Sequence, residues 1–132
     1  MKILFVAGFG PIVQDMKASR QLYGETLELP LEGDATYLHT SAVDGVKHFA
    51  LWPLSAAAES CFGTTTWPVD LPTPHAWMEF DVEDIEEATR ELEEKGYRLL
   101  VAARKEPWEQ VVTRFLSPEG LLIGITITPW MR

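Results

Sequence analysis

Cysteine is almost absent from this chain of 132 residues: Cys61 stands alone, so no disulfide can form within it. That fits a reducing compartment and leaves stability to packing. Long apolar runs are missing too. A membrane-crossing helix needs about 18 such residues, and no segment comes near it. The first residues carry neither the basic nor the apolar block of a signal peptide, so a cytoplasmic protein with no membrane partner is expected. Cations are scarce, with 11 Lys and Arg against 20 Asp and Glu, a formal net charge of -9. Phosphate backbones are bound by clustered Lys and Arg, which disfavours nucleic acid as a partner. The acidic surplus serves solubility first and mildly favours a cationic ligand second.

Hydrophobic residues make up 46% of the chain, enough for one domain or two small modules sharing a core. The chain echoes itself, and internal repeats decide a fold before anything else does. One copy spans 2–53 and the other 74–130, joined by 54–73. Each opens with an apolar strand closed by an acidic residue, Phe5 to Val13 before Asp15 and Ala76 to Val82 before Asp84. Each continues with an amphipathic segment that stops at a glycine, Gly24 or Gly96, and ends in further strands turning at Asp44-Gly45 or Glu119-Gly120. The expected class is α+β, two βαβββ modules forming concave mixed sheets with helices on the outer face.

In the second copy Asp84 reads as an N-cap with Glu87 three residues on. Ile85, Ala88 and Leu92 share a face, and Lys95-Gly96 supplies the stop. The first copy repeats this more weakly: Asp15 caps, Met16, Ser19 and Tyr23 turn inward, and Gly24 terminates. Both helices should cover one sheet face.

Residues two apart on a strand share a face. Met78, Phe80 and Val82 make an apolar row for the helix, which turns His75, Trp77, Glu79 and Asp81 the other way. The same rule sends Phe9, Pro11 and Val13 to the helix and leaves Gly8, Gly10 and Ile12 opposite. In 46–52 it leaves His48, Ala50 and Trp52 opposite Phe49 and Leu51. In 122–128 it leaves Leu122, Gly124, Thr126 and Thr128 opposite Ile123, Ile125 and Ile127. Glycines on a strand face give room for something to approach. Histidines, tryptophans, a glutamate and glycines on one face make the composition of a pocket.

The pattern Val13-Gln14-Asp15 with Tyr23, Val82-Glu83-Asp84-Ile85 with Leu92 and Gly96, Pro107-Trp108, and Ser117-Pro118-Glu119-Gly120 with Ile123 resembles the vicinal oxygen chelate superfamily. That group includes glyoxalase I, extradiol dioxygenases, fosfomycin-resistance enzymes and bleomycin-resistance proteins. The resemblance covers about residues 2–129 and implies paired βαβββ modules, usually dimeric, with sites in the concave sheets. It also implies a divalent metal held from inward positions that fall near Gly8, His48, Trp77 and Gly124. Three of those four have no side-chain donor, whereas metal sites need three or more N, O or S ligands. His48, His75 and Glu79 offer a displaced alternative, with Trp77 standing between the last two. His39 suits an ordinary strand or surface role.

Ala76-Trp77 and Pro107-Trp108 are similar to the metal-free bleomycin-resistance branch, whose members bind a large drug between subunits. The expected function is therefore metal-free sequestration of a small aromatic ligand in a homodimer groove, with no cofactor. The expected ligand-binding residues are His48, Trp52, Trp77, Glu79 and Trp108: indole faces for stacking or cation–π attraction, and Glu79 for a positive centre. Packing in the core is the competing role for each tryptophan, and Trp130 suits packing or an interface. Glu109 is placed near the rim. The alternative function is a lyase, isomerase or dioxygenase using a displaced metal, or Glu79 or His48 as base. No Ser-His-Asp arrangement, phosphate loop or CxxC motif points to other chemistry.

The stretch from Ser55 to Thr73 permits one helical turn at Ala56-Ala57-Ala58-Glu59 before prolines interrupt. It reads either as a linker between modules or as a flap that lays Phe62 or Trp67 over the pocket.

Overall fold

The computed structural model describes residues 1–132. Its elements run β1 (Ile3–Val13), α1 (Met16–Arg20), one π-helical turn (Gln21–Thr26), β2 (Glu32–Asp34), β3 (Tyr37–Thr40), β4 (Phe49–Pro53) and α2 (Leu54–Phe62). Then come β5 (Ala76–Val82), α3 (Ile85–Glu94), β6 (Leu99–Lys105), β7 (Val111–Leu116), β8 (Leu122–Ile127) and a closing helical turn (Pro129–Met131). All eight strands join one mixed, curved sheet in the order β2-β3-β4-β1-β5-β8-β7-β6. β1 and β5 pair antiparallel at the centre, and each has a parallel partner on its outer side, β4 and β8. The sequence echo is thus an approximate two-fold between β1 and β5, and the α+β class with its glyoxalase-like sheet is as expected.

Alternation sorts the two faces. On the convex side α3 seats Ile85, Ala88 and Leu92 against Val82, Ile123 and Ile125, with Met78 and Phe80 packed alongside. Asp84 caps it through a side-chain bond from the Glu87 amide, and Gly96 turns the chain at φ +86. α1 sets Met16, with Tyr23 beyond it, over Val13, Leu51 and Phe49. Gly24 does not end that helix. The backbone widens into the π turn and runs on to Thr26, where the amide of Leu27 closes back on the Leu22 carbonyl.

The connection between the halves is neither a plain linker nor a flap. Leu54 to Phe62 is a nine-residue helix that lies against the concave face. Ala57 and Ala58 are fully buried there, with Cys61, against Ile12, Ala50, Val112 and Leu122. The small side chains let the helix sit close to the sheet. Trp67 folds beneath Phe62, with ring centroids 5.0 Å apart and its indole N–H on the Pro72 carbonyl at 3.0 Å. Neither aromatic covers the groove. A third helix therefore fills one end of the concavity, where helices were expected on the outer face alone, and only the rest stays open.

Candidate functional site

A groove of about 810 Å³ remains on the concave face, bounded by α2, the β6–β7 turn and the closing helical turn. That lies within the roughly 300–1,000 Å³ usual for small-molecule sites. His48, Trp52, Trp77, Glu79 and Trp108 all line it. They stand there in different ways.

Trp77 is the floor. It is 4% exposed, its indole N–H donates to the Ala50 carbonyl at 3.2 Å, and its ring meets Trp52 edge-on with centroids 6.2 Å apart. Gly8 and Gly10 leave room for that indole and for the adjacent backbone, not for a ligand. A Cβ on Gly10 would stand 2.1 Å from the Ala50 carbonyl oxygen and 3.1 Å from the indole nitrogen. Trp52 is half-buried and Trp108 is 49% exposed at the rim. The Trp108 N–H donates to Gln110 Oε1 at 3.0 Å, which ties this rim residue to the groove interior.

Glu79 does not present a free charge. Gln110 Nε2 donates to its Oε1 at 3.0 Å, and Arg114 Nη1 donates to its Oε2 at 3.1 Å. Gln110 Nε2 also donates to Thr128 Oγ1 at 3.1 Å, which completes a buried polar bed. The expectation that Glu79 would neutralise a cationic ligand is corrected on this ground: its carboxylate already has a cation. Glu109 pairs with Lys105 at 2.9 Å, both exposed, and lines no part of the groove.

His48 lies just before β4. Its Nε2 is 2.7 Å from the Tyr37 hydroxyl and its Nδ1 is 3.3 Å from Ser41 Oγ; the Tyr37 ring stacks on it and the His39 ring lies tilted beside it. Burial, and then the neighbouring His39, push the His48 imidazole below its ordinary value, with Glu79 opposing. Burial, reinforced by Glu79, pushes the Tyr37 phenol well above its usual range. The hydroxyl therefore stays a donor and the imidazole stays neutral at pH 7. Because the folded value is depressed, the unfolded chain takes up the proton first. The His48 contribution to stability is full above the unfolded value of about 6.5 and is lost as pH falls from there through the lower folded value. Urea unfolding of wild type and His48→Gln across pH 5–8 should show a steeper acid loss in wild type.

The residues do not fit the metal that the resemblance implies. The cross-sheet register aligns Gly8 with Glu79 and Glu79 with Gly124, and the β1 amide beside Gly8 bonds the His48 carbonyl. Glu79, rather than Trp77, therefore holds the place on the fifth strand. Gly8 and Gly124 bring no donor, and both Glu79 oxygens are engaged. A Cβ on Gly124 would meet Glu79 Cγ at 2.9 Å and Arg114 Nη1 at 3.3 Å. A guanidinium thus fills the space beside the carboxylate. His75 is exposed and lines no part of the groove, and no three His, Cys, Asp or Glu side chains gather to hold a metal ion. Cys61 is buried, and its thiol is pushed up by that burial, which makes it a packing residue.

Sequence reasoning passed over Arg114, Gln110, Tyr37 and Arg104, and gave Trp130 to packing or an interface; all five line the groove. Alternation could have found Arg114, since Val112 and Leu116 on either side of it in β7 face the concave core. Arg114 is 2% exposed, with its guanidinium carbon 4.8 Å from the Trp52 ring centroid. Arg104 pairs with Glu106 at 2.8 Å and reaches Ser60 of α2. Gln110 and Tyr37 had no such signal, because turn geometry and hairpin curvature place them.

The model of the glyoxalase/bleomycin resistance protein/dioxygenase superfamily matches residues 9–125, and the chain belongs to that family. A superfamily member from Vibrio splendidus superposes with a TM-score of 0.60 at 16% identity, covering 93% of this chain and 97% of that one. A Legionella pneumophila structure described as NAD-dependent benzaldehyde dehydrogenase gives 0.59 at 14%, covering 90% and 96%. Methylmalonyl-CoA epimerase from Streptomyces coelicolor gives 0.55 at 15%, covering 97% and 96%. At these identities the likeness is one of fold. No curated protein matches the sequence. No helix is long and apolar enough to cross a membrane.

Proposed function

We propose that this protein binds a small aromatic molecule in the concave groove without a metal ion, as a sequestering or accessory binding protein. One observation carries the reading: an open groove of about 810 Å³ walled by Trp52, Trp108, Trp130 and Tyr37 over a buried polar bed. Aromatic walls stack on planar ligands, each such pair contributing roughly 0.5–1.5 kcal/mol beyond area burial. The bed orients polar substituents. Trp108 is the residue on which to test this, since its exposure separates binding from folding. Planar aromatics titrated against tryptophan fluorescence should quench the wild-type signal saturably. Trp108→Ala should weaken that binding by about three- to tenfold with an unchanged unfolding midpoint. Equal affinity in the variant would remove the groove from the reading.

The groove is proposed to be completed by a second copy, in a homodimer. β1 leaves Ile3, Leu4, Val6 and Phe9 40–45% exposed, and Trp130 at the rim is 57% exposed. Two-fold pairing is the commonest oligomer geometry. Light scattering at micromolar concentrations is expected to give twice the chain mass of 14.9 kDa, and a monomer mass would refute it.

The contact between Tyr37 and His48 supports a second reading, a metal-free isomerase with His48 as base. Tyr37 lines the groove, so its hydroxyl can take a proton from a ligand while passing its own to His48 Nε2 at 2.7 Å, and the reverse transfer returns it. Solvent deuterium entering a bound ligand, lost in His48→Gln, would favour this reading over plain sequestration.

A further inference from the structure

Arg114 is costly where it stands and only partly satisfied. It is 2% exposed, Nη1 makes its bond to Glu79, and Nε is the one buried side-chain nitrogen or oxygen in the protein with no partner. Buried polar groups are almost always paired, and a charged one left short needs an explanation. Packing does not give one, because Val112 and Leu116 on the same strand face show that apolar side chains suit this layer. The guanidinium lies on the Trp52 ring, borders the groove, and faces a carboxylate that is already held by Gln110.

We infer that Arg114 is a specificity-determining residue: its guanidinium receives an oxygen acceptor carried by the aromatic ligand, a carboxylate first and a neutral carbonyl second. The inference rests on the groove being the ligand site. A planar guanidinium presents N–H groups in a fork that matches two adjacent oxygens. The guanidinium carbon lies 4.8 Å from the Trp52 ring centroid, so a ring stacked among the groove tryptophans brings its substituent close to the guanidinium. Glu79 balances the charge of Arg114 while the groove is empty. Gln110 keeps that carboxylate anchored when Arg114 turns part of its hydrogen bonding to the ligand. Arg104 is engaged through Nη2 by Glu106 and Ser60, and substitutions at Arg114 leave it in place, which separates the two guanidinium groups.

The surface works against the site. With a net charge of -9, the protein repels an approaching anion at long range, and added salt screens this. A carboxylate ligand should therefore bind more tightly as salt rises from 10 to 150 mM, opposite to the trend for a ligand recruited by the acidic surface.

Calorimetric titration with naphthoate, naphthamide and naphthylmethylammonium tests the inference, since the three share a ring and differ in one substituent. Naphthoate should bind about tenfold more tightly than the ammonium compound at 150 mM salt, with the amide between them. In the double variant Arg114→Met/Glu79→Gln, which removes both charges together, the preference should vanish. Should that variant not fold, Arg114→Lys, which keeps the charge but loses the planar fork, should lose at least half of the preference. Equal or tighter binding of the ammonium compound by wild type, or a preference that survives in the variants, would overturn the inference and leave the aromatic groove standing. Failure of all three compounds to bind would overturn the groove reading itself.

Discussion

Replacing Arg114 alone by methionine is expected to destabilise the protein by about 3–5 kcal/mol. The loss arises less from the broken ion pair than from what remains: the Glu79 carboxylate, 13% exposed, would be left with Gln110 as its only side-chain donor. Glu79→Gln alone should also destabilise, by leaving Arg114 without a counter-charge. Changing both together should recover most of the loss, because two neutral side chains of similar volume need no partner of opposite sign. Urea denaturation of the two single variants and the double one closes the cycle. A cost that simply adds, with no recovery in the double variant, would show that the two residues act independently.

Trp77→Ala carries the other large effect, about 3–5 kcal/mol, as for other buried tryptophans cut to alanine. The indole is 4% exposed and belongs to the cluster of α2 side chains with Ile12, Ala50 and Leu122, so its removal opens a cavity at the centre of the sheet. Gly8 and Gly10 cannot compensate, since their space is shaped by the same ring. The thermal midpoint of Trp77→Ala should fall far below that of Trp108→Ala. Similar midpoints would mean that the indole is not a structural element of the sheet. Trp77 therefore serves the groove as its floor, through packing, and reduced ligand binding in this variant would reflect the cavity as much as a lost contact.

Much of the architecture is legible before any coordinates. Period-two alternation assigns the faces of residues 8–13 in β1 and of nearly every residue in β4, β5 and β8, because one face of each strand must meet a helix; the earlier part of β1 carries register shifts that break the period. Capping chemistry places α3 to the residue at both ends, since Asp84 and Gly96 satisfy specific backbone groups. Gly24 misled for an instructive reason: a glycine stops a helix only when the chain then turns left-handed, and here it passes through a π turn instead. The helix α2 was visible as one turn and no more. Its small apolar face, Ala57, Ala58 and Cys61, has weak helical amphipathy and gains its stability from the concave sheet, which a local pattern does not contain.

The candidate site divides along the same line. Sequence by itself determined that His48, Trp52, Trp77 and Glu79 share the face away from α1 and α3, and that Gly8 and Gly124 offer no metal donor. These follow from the strand period and the chemistry of single residues. Tertiary structure alone decided which of them meet a ligand and which meet the protein. Strand register set Gly124 beside Glu79 and Arg114 across from both, so an apparent free carboxylate became one half of a buried pair. The packing of α2 turned half of a concave surface into core and buried Trp77, leaving Trp52, Trp108 and Trp130 as walls. Long-range pairing of this kind depends on how β7 returns beside β8 and where a connecting helix finds space, and neither is encoded in the residues that form the site.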